Sequence, residues 1–196
     1  MPEIPSLEVA LTRVGELLAA DNAPVALVII GGAALNLGGY VSRTTTDVDV
    51  IAMGTLSERG VPTDVISEPP ARWPPALQRA IAIVARANGL LPEWLNAMSA
   101  LHWRQPLPEG IATRVQWRTF GGALHIGIAA RRDLIAFKVY AAADFPDAGS
   151  VHAKDLRALG PSDEELDSAA HWTKSLDPSP AFADSLDKVI AYAKQR

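Results

Sequence analysis

A run of six apolar residues that ends at two glycines constrains the fold more than any other feature. Residues 25–30 read Val-Ala-Leu-Val-Ile-Ile, with turn-forming residues at 21–24 before them and Gly31-Gly32 directly after them. A short run that is apolar at every position and bounded by turn residues predicts a strand that is buried on both faces. We therefore expect this segment to form a central strand of a sheet.

Hydrophobic periodicity and turn residues predict the other elements. The predicted helices are 7–20 with Ser6 as N-cap, 33–37, 75–88, a short one near Pro92, one from Arg131, 151–159, one after Ser162 with Glu165 in a capping box, and 181 to the end. The predicted strands are 25–30, 47–52 and a hairpin of 113–120 and 123–129, while 54–70 is predicted to be a loop. This pattern indicates an α+β fold, a mixed sheet flanked by helices. We expect a core with the central sheet at 1–130 and a helical region at 131–196, packed together as one compact domain.

Composition limits the classes of function. The chain has 196 residues, of which 48% are hydrophobic, and its formal net charge is −4. Without a block of basic residues, tight sequence-independent binding to a long nucleic acid is not expected, although a small nucleic acid held by a local patch remains open. The absence of cysteine excludes disulfides, zinc fingers and thiol catalysis.

Hydropathy predicts no association with a membrane. The longest apolar stretch, near residues 25–30, is far shorter than the roughly 20 residues that span a bilayer. The N-terminus lacks a basic stretch followed by an apolar run, which is the pattern of a signal peptide. We therefore expect a cytoplasmic protein.

Two acidic residues follow the first predicted strand and its glycines. Asp47 and Asp49 flank Val48, and residues two apart on a strand point to the same face. Two carboxylates at that distance repel each other unless a cation joins them or one takes a proton. Because Mg²⁺ prefers carboxylate oxygens together with substrate phosphates, the pair predicts a magnesium site.

The residues between the strand and the aspartates are suited to phosphate. Gly31 and Gly32 allow a ligand to approach the backbone closely, and free N–H groups follow them at the start of a helix. Arg43 and Thr45 offer further phosphate contacts. Taken singly, each of these features is common in proteins. A glycine pair often forms a tight turn, an aspartate pair is often solvated, and a run such as Arg-Thr-Thr-Thr is often a loop. Their order and spacing together favour a site for a nucleoside triphosphate and its metal.

This stretch resembles the signature of the nucleotidyltransferase superfamily, which is a Gly-Gly or Gly-Ser turn, a helix and then Asp-x-Asp. Its Arg-x-Thr-x-Asp-x-Asp form, here Arg43, Thr45, Asp47 and Asp49, resembles the branch that contains AbiEii-type abortive-infection toxins. The resemblance is specific over roughly residues 25–53. It implies a polymerase-β-like fold, Mg²⁺ (or Mn²⁺) at the two aspartates and an NTP substrate.

The second half of the chain resembles the same branch in two places. A lysine lies in a helical segment that begins near Asp133, and a Lys-Asp pair follows at 154–155. The resemblance implies that Lys138 contacts nucleotide phosphates and that Asp155 belongs to the active site. A buried lysine also needs an anionic partner. The alternative is that Lys138 reaches the surface and Asp155 caps a helix.

The sequence departs from the family pattern at two positions and matches it loosely at a third. Many nucleotidyltransferases carry a third carboxylate on a later strand, but residues 113–120 contain no acid. The arginine that often follows the lysine helix is absent from 143–146. The segment with Trp94 and Asn96 resembles a Trp-Leu-Asn motif, and we expect Trp94 to pack on the sheet and Asn96 to lie near the site.

The predicted activity is transfer of a nucleoside monophosphate from an NTP to an acceptor hydroxyl on RNA (tRNA included), a protein or a small molecule. Asp47 and Asp49 hold the metal, Gly31 and Gly32 position phosphates, Lys138 stabilises the triphosphate, and Asp155 orients the acceptor or acts as a base. If the toxin resemblance holds, an antitoxin protein is a partner. The alternatives are a catalytically degenerate module that binds nucleotide or protein, and a purely structural subunit.

Overall fold

The computed structural model describes residues 6–42, 45, 47–103, 105–144 and 150–195. The helices are α1 (Leu7–Ala20), α2 (Gly31–Leu37), α3 (Pro75–Asn88), α4 (Met98–His102), α5 (Ile111–Arg114), α6 (Arg131–Asp144), α7 (Val151–Leu159), α8 (Asp163–Leu176) and α9 (Pro180–Lys194). The strands are β1 (Val25–Ile30), β2 (Val48–Leu56), β3 (Pro62–Ser67), β4 (Leu95–Asn96), β5 (Gln116–Phe120) and β6 (Leu124–Ile128). The predicted α+β fold is confirmed.

A mixed sheet in the order β3-β2-β1-β6-β5 forms the centre of the molecule. Strand β1 pairs antiparallel with β2 on one side and parallel with β6 on the other. All of its residues are buried, which confirms that the apolar run is the central strand. The short strand β4 adds to β2 in parallel at the N-terminal end of β2.

The predicted loop at 54–70 is wrong, because β2 continues to Leu56 and β3 pairs with it antiparallel. Strand β3 lies at the edge of the sheet and is largely exposed, so it lacks the alternation of apolar and polar residues that marks a half-buried strand. Gly54 leaves room for the ring of Trp117, and a register shift follows between Gly54 and Leu56.

Two further boundaries differ from the prediction. The helix expected near Pro92 begins only at Met98, after the two residues of β4. The first predicted residues of the hairpin, 113–114, belong instead to α5, and β5 begins at Gln116. These elements have two to five residues, too few for hydrophobic periodicity to reveal.

Three of the longer helices begin or end at the capping residues that the sequence predicts. The Ser6 side chain accepts a hydrogen bond from the Val9 N–H at the start of α1. Ser162 and Glu165 form the predicted capping box of α8. Gly89 ends α3 in the left-handed conformation, at a φ of 64°.

Helix α1 covers the sheet and packs very closely on the β5–β6 turn. Any Cβ at Gly15 would overlap the backbone of Phe120, and any Cβ at Gly121 would overlap the backbone of α1. Gly15 of the helix and Gly121 of the turn therefore allow the main chains of the helix and the hairpin to touch.

Helix α6 is the centre of the C-terminal part. It packs against α2 on one side and against α7, α8 and α9 on the other. One continuous cluster of buried apolar side chains extends from Ala10 in α1 to Val189 in α9. The division of the chain at residue 130 stays a prediction. Within the described residues, no helix combines the length and the apolar character that crossing a membrane requires.

Candidate active site

The two aspartates lie where β1 ends and β2 begins. Asp47 directly precedes β2 and is exposed, whereas Asp49 lies within it and is partly buried. Asp49 pairs with Ile30 of β1 and with Asn96 of β4, so strands flank it on both sides. The sheet therefore fixes the backbone of Asp49 more firmly than that of Asp47.

The carboxylate of Asp49 is held from two directions. Its Oδ1 accepts a hydrogen bond from the Ser99 hydroxyl at 3.0 Å. Its Oδ2 lies against Gly31, 2.7 Å from where a Cβ of residue 31 would stand. Gly31 also has a φ of +72°, which residues with a side chain adopt only with strain. This close approach and this backbone conformation together explain why residue 31 is glycine.

Burial raises the pKa of Asp49, and the nearby charge of Asp47 raises it further. The Ser99 hydrogen bond and the positive charge of Lys138 act in the opposite direction on this pKa. The neighbours of Asp49 therefore balance the negative charge of its ionised form only in part, which is the situation of a carboxylate that binds a cation. The oxygen donors of Asp47 and Asp49 fit Mg²⁺, which takes one or two carboxylates together with water and phosphate oxygens.

The structure brings no third acidic or histidine ligand to this pair within the part of the chain that it describes. The hairpin strand β5, where a third carboxylate was sought, contains none. His125 lies in the core, where its Nδ1 is 3.0 Å from the Thr119 hydroxyl and burial lowers its pKa.

The predicted phosphate-binding residues have different outcomes. Gly31 and Gly32 form the first residues of α2 and lie beside Asp49. Thr45 lies 3.2 Å from Oδ1 of Asp47, to which its hydroxyl donates. Thr45 therefore contacts a predicted metal ligand. Arg43 lies outside the described residues.

Lys138 and Asp155 form a buried ion pair between α6 and α7. The lysine Nζ donates to Asp155 Oδ2 at 2.8 Å, and the two residues are only 5% and 3% exposed. The alternative in which Lys138 reaches the surface and Asp155 caps a helix is wrong, since Ser150 caps α7 and Asp155 lies inside it. The anionic partner expected for a buried lysine is Asp155.

A cavity of about 640 Å³ joins three of the predicted site residues. Gly31, Asp49 and Lys138 are among the residues that line it, and its size falls in the range of small-molecule sites. An aromatic wall, formed by Trp103 and Tyr140 at a ring-centroid distance of 5.0 Å, also lines the cavity. Asp155 binds the lysine and is not among the residues that line the cavity, and its role in orienting the acceptor or as a base stays a prediction.

Sequence reasoning missed Ser99 and the aromatic wall. Residues 137, 140, 141 and 144 of α6 line the cavity, and this spacing places them on one face of the helix. That stripe was visible in the sequence as part of an apolar helix. Trp103 packs edge-on against Phe137 and stacks on Trp172 at 5.9 Å. Nothing near Ser99 signals its role, because its partner is 50 residues away.

The other candidates have supporting roles. Trp94 is buried in the core and donates from its indole N–H to the Ile81 carbonyl of α3, while its packing on the sheet stays a prediction. Asn96 lies beside Asp49, and its side chain accepts a hydrogen bond from the Met98 N–H at the start of α4. Asp133 binds Arg114 through both carboxylate oxygens, at 2.7 and 3.1 Å, and does not line the cavity.

Comparison with known proteins identifies one family. Residues 9–158 match the model of DUF6036, which is described as a nucleotidyltransferase of unknown function. The matched range contains every predicted site residue, from Gly31 to Asp155. No curated protein and no solved structure matches the chain.

Proposed function

The chain belongs to this family of nucleotidyltransferases, and on that premise we propose that it transfers a nucleoside monophosphate from an NTP to an acceptor hydroxyl. The observation that carries the proposal is the meeting of Asp49, Gly31 and Lys138 around one cavity. A partly buried carboxylate, a backbone without a side chain and a cation are the groups that a metal-bound triphosphate requires.

In this proposal, Asp47 and Asp49 hold Mg²⁺ or Mn²⁺. When bound, the metal activates the acceptor oxygen and neutralises negative charge on the transferred phosphoryl group. The acceptor oxygen bonds to the α-phosphorus, the bond to the leaving pyrophosphate breaks, and the acceptor proton passes to solvent. Gly31 and Gly32 let the phosphates approach the backbone, and Arg43 and Thr45 of the sequence motif add phosphate contacts.

Lys138 stabilises the triphosphate, and Asp155 holds Lys138 in position. Lys138 lines the cavity and its charge acts on Asp49, so a phosphate at the metal lies within reach of the same charge. Because an ammonium group can share its three donors, binding a phosphate does not require the Asp155 contact to break. The aromatic wall with Trp103 and Tyr140 offers the base an apolar surface.

Two finer assignments belong to the proposal. The Arg43-to-Asp49 motif supports a toxin of the AbiEii-type branch with an antitoxin partner, and RNA, protein and small molecules are all candidate acceptors.

The second candidate function is a degenerate module that binds nucleotide without transfer. It is favoured by the two-carboxylate site, to which the described residues contribute no third acid.

Transfer is tested with an α-phosphate-labelled NTP, Mg²⁺ and separate pools of tRNA, protein and hydroxylated small molecules. We expect label in one pool with the wild type and none with Asp49→Asn, while Asp64→Asn, which alters an exposed aspartate on β3, behaves as the wild type. Equal labelling by the wild type and Asp49→Asn refutes the enzymatic proposal. Stabilisation by NTP and Mg²⁺ without any transfer supports the binding module.

A further inference from the structure

A serine outside every family motif contacts the central carboxylate of the site. Ser99, in α4, donates its hydroxyl hydrogen to Asp49 Oδ1 across 3.0 Å. Its side chain lies in the wall of the cavity that contains Asp49 and Lys138. This contact joins α4 directly to the predicted metal ligand.

The backbone around Ser99 is built against β2. Leu95 and Asn96 pair with Val48 and Asp49 in parallel, and the Val48 N–H donates to the Trp94 carbonyl at 2.6 Å. The Asn96 side chain then accepts from the Met98 N–H at 2.8 Å and starts α4. The position of Ser99 is therefore set by strand pairing and hydrogen bonds that begin at Val48 and Asp49 of β2.

The opposite side of the same carboxylate is also occupied. Asp49 Oδ2 lies against Gly31, so the carboxylate is held between a glycine and a hydroxyl donor. A carboxylate has about four lone-pair positions, and one hydrogen bond leaves the others for a cation. Ser99 therefore orients Asp49 without exhausting its capacity as a ligand.

We propose that Ser99 is a positioning residue of the metal site, which orients the Asp49 carboxylate for a divalent cation. The inference rests on the proposed function in one respect, namely that Asp47 and Asp49 bind the metal. Hydrogen-bonded partners of ligating groups typically account for roughly 10–100-fold in metal affinity. Ser99→Ala removes the hydroxyl donor and leaves the hydrogen bonds from Val48 to Trp94 and from Met98 to Asn96 in place.

The test is a titration of the full chain with Mn²⁺, in which free Mn²⁺ is followed by electron paramagnetic resonance. We expect Ser99→Ala to bind Mn²⁺ about 10-fold or more weakly than the wild type. Ser99→Thr keeps a hydroxyl and is expected to restore most of the affinity. Ser175→Ala is the matched control, because the Ser175 hydroxyl donates to the backbone carbonyl of Trp172 in α8 and Ser175 does not line the cavity.

Thermal unfolding in EDTA separates positioning from a purely structural role. A loss of stability in Ser99→Ala with unchanged Mn²⁺ affinity overturns the inference, as does equal affinity of Ser99→Ala and the wild type. If the wild type and Asp49→Asn bind Mn²⁺ equally, the metal site of the proposed function fails and this inference fails with it. If Ser99→Ala weakens Mn²⁺ binding but the wild type transfers no nucleotide, the positioning role stands and the proposed reaction fails.

Discussion

Helix α6 carries two ion pairs whose carboxylates are both buried but whose cations differ in exposure, at 23% for the Arg114 side chain and 6% for the Lys138 side chain. Near its start, Asp133 holds Arg114 of α5 through both carboxylate oxygens, away from the cavity. Five residues later on the same helix, Lys138 contacts Asp155 of α7 through one oxygen and lines the cavity. A guanidinium fork fixes two elements in one geometry, whereas an ammonium group is a point charge with donors left for a second partner. From this comparison, we expect the first pair to stabilise the fold and the second to act on a ligand of the cavity.

The largest expected effect comes from breaking the structural pair. Arg114→Ala leaves Asp133, which is 1% exposed, as an unpaired buried carboxylate. We expect a loss of about 3–5 kcal/mol in the free energy of unfolding, measured by urea denaturation. Arg79→Ala is the control, because the Arg79–Asp21 pair is exposed and is worth about 0–1 kcal/mol. A loss below about 1 kcal/mol in Arg114→Ala would show that Asp133 finds another partner or water.

Replacing both members of each pair sharpens the comparison. Apolar residues of similar volume commonly substitute for a buried ion pair without loss of stability, so both Lys138→Met/Asp155→Val and Arg114→Met/Asp133→Val are expected to fold. Transfer is expected to fall about 100-fold or more only in the Lys138 double variant, since it alone removes charge from the cavity. Single-turnover labelling measures this difference. Equal losses in the two double variants would remove the functional distinction between the pairs.

The cavity side is also sensitive to a single methyl group. Gly31→Ala combines a left-handed backbone with a Cβ 2.7 Å from Asp49 Oδ2. Gly39 has a similar φ of +74° but nothing within 4 Å of its Cβ position, so Gly39→Ala carries only the backbone strain. We expect both variants to lose about 1–2 kcal/mol of stability from that strain. Mn²⁺ affinity should fall in Gly31→Ala alone, and an equal fall in both would contradict the close approach.

The smallest effect is expected at a third pair on α6, between Arg131 and Glu165. This pair is about one-third exposed, at 32% and 29% for the two side chains. The Arg131 hydrogen bonds are the main cause that holds the pKa of Glu165 below its ordinary value of 4.5. A lowered carboxylate pKa stabilises the fold above pH 4.5, and the contribution is lost as pH falls through the lowered pKa.

Glu165→Gln tests this third pair while it keeps a residue suited to the capping box. We expect it to lower stability at pH 7 by less than about 1 kcal/mol. The gap from the wild type should close as both are acidified below pH 4.5, as measured by urea denaturation at a series of pH values. A gap that is constant across this range would mean that the charge of Glu165 does not matter.

Local patterns in the sequence predicted the elements with local causes. The run from Val25 to Ile30 identified the central strand, and Ser6, Ser162 and Gly89 marked helix ends because capping involves neighbouring residues. Strand β3 was missed because its stability comes from pairing with β2 and its exposed edge position imposes no hydrophobic pattern.

The site was predicted as a set of residues but not as a set of contacts. The family signature identified Asp47, Asp49, Lys138 and Asp155, yet only the packing of α6 on α7 shows that the last two bind each other. Ser99 reaches Asp49 through the pairing of a two-residue strand, and sequence offers no means to detect such a pairing.

The stacking of Trp172 on Trp103 has an evolutionary consequence. Trp172 lies in α8, beyond residue 158 where the family match ends, yet it backs a ring that lines the cavity. Substitutions in the C-terminal helices can therefore reshape the aromatic wall while every signature residue is conserved. Two chains that are identical up to residue 158 but differ at position 172 are therefore expected to have cavities of different shape.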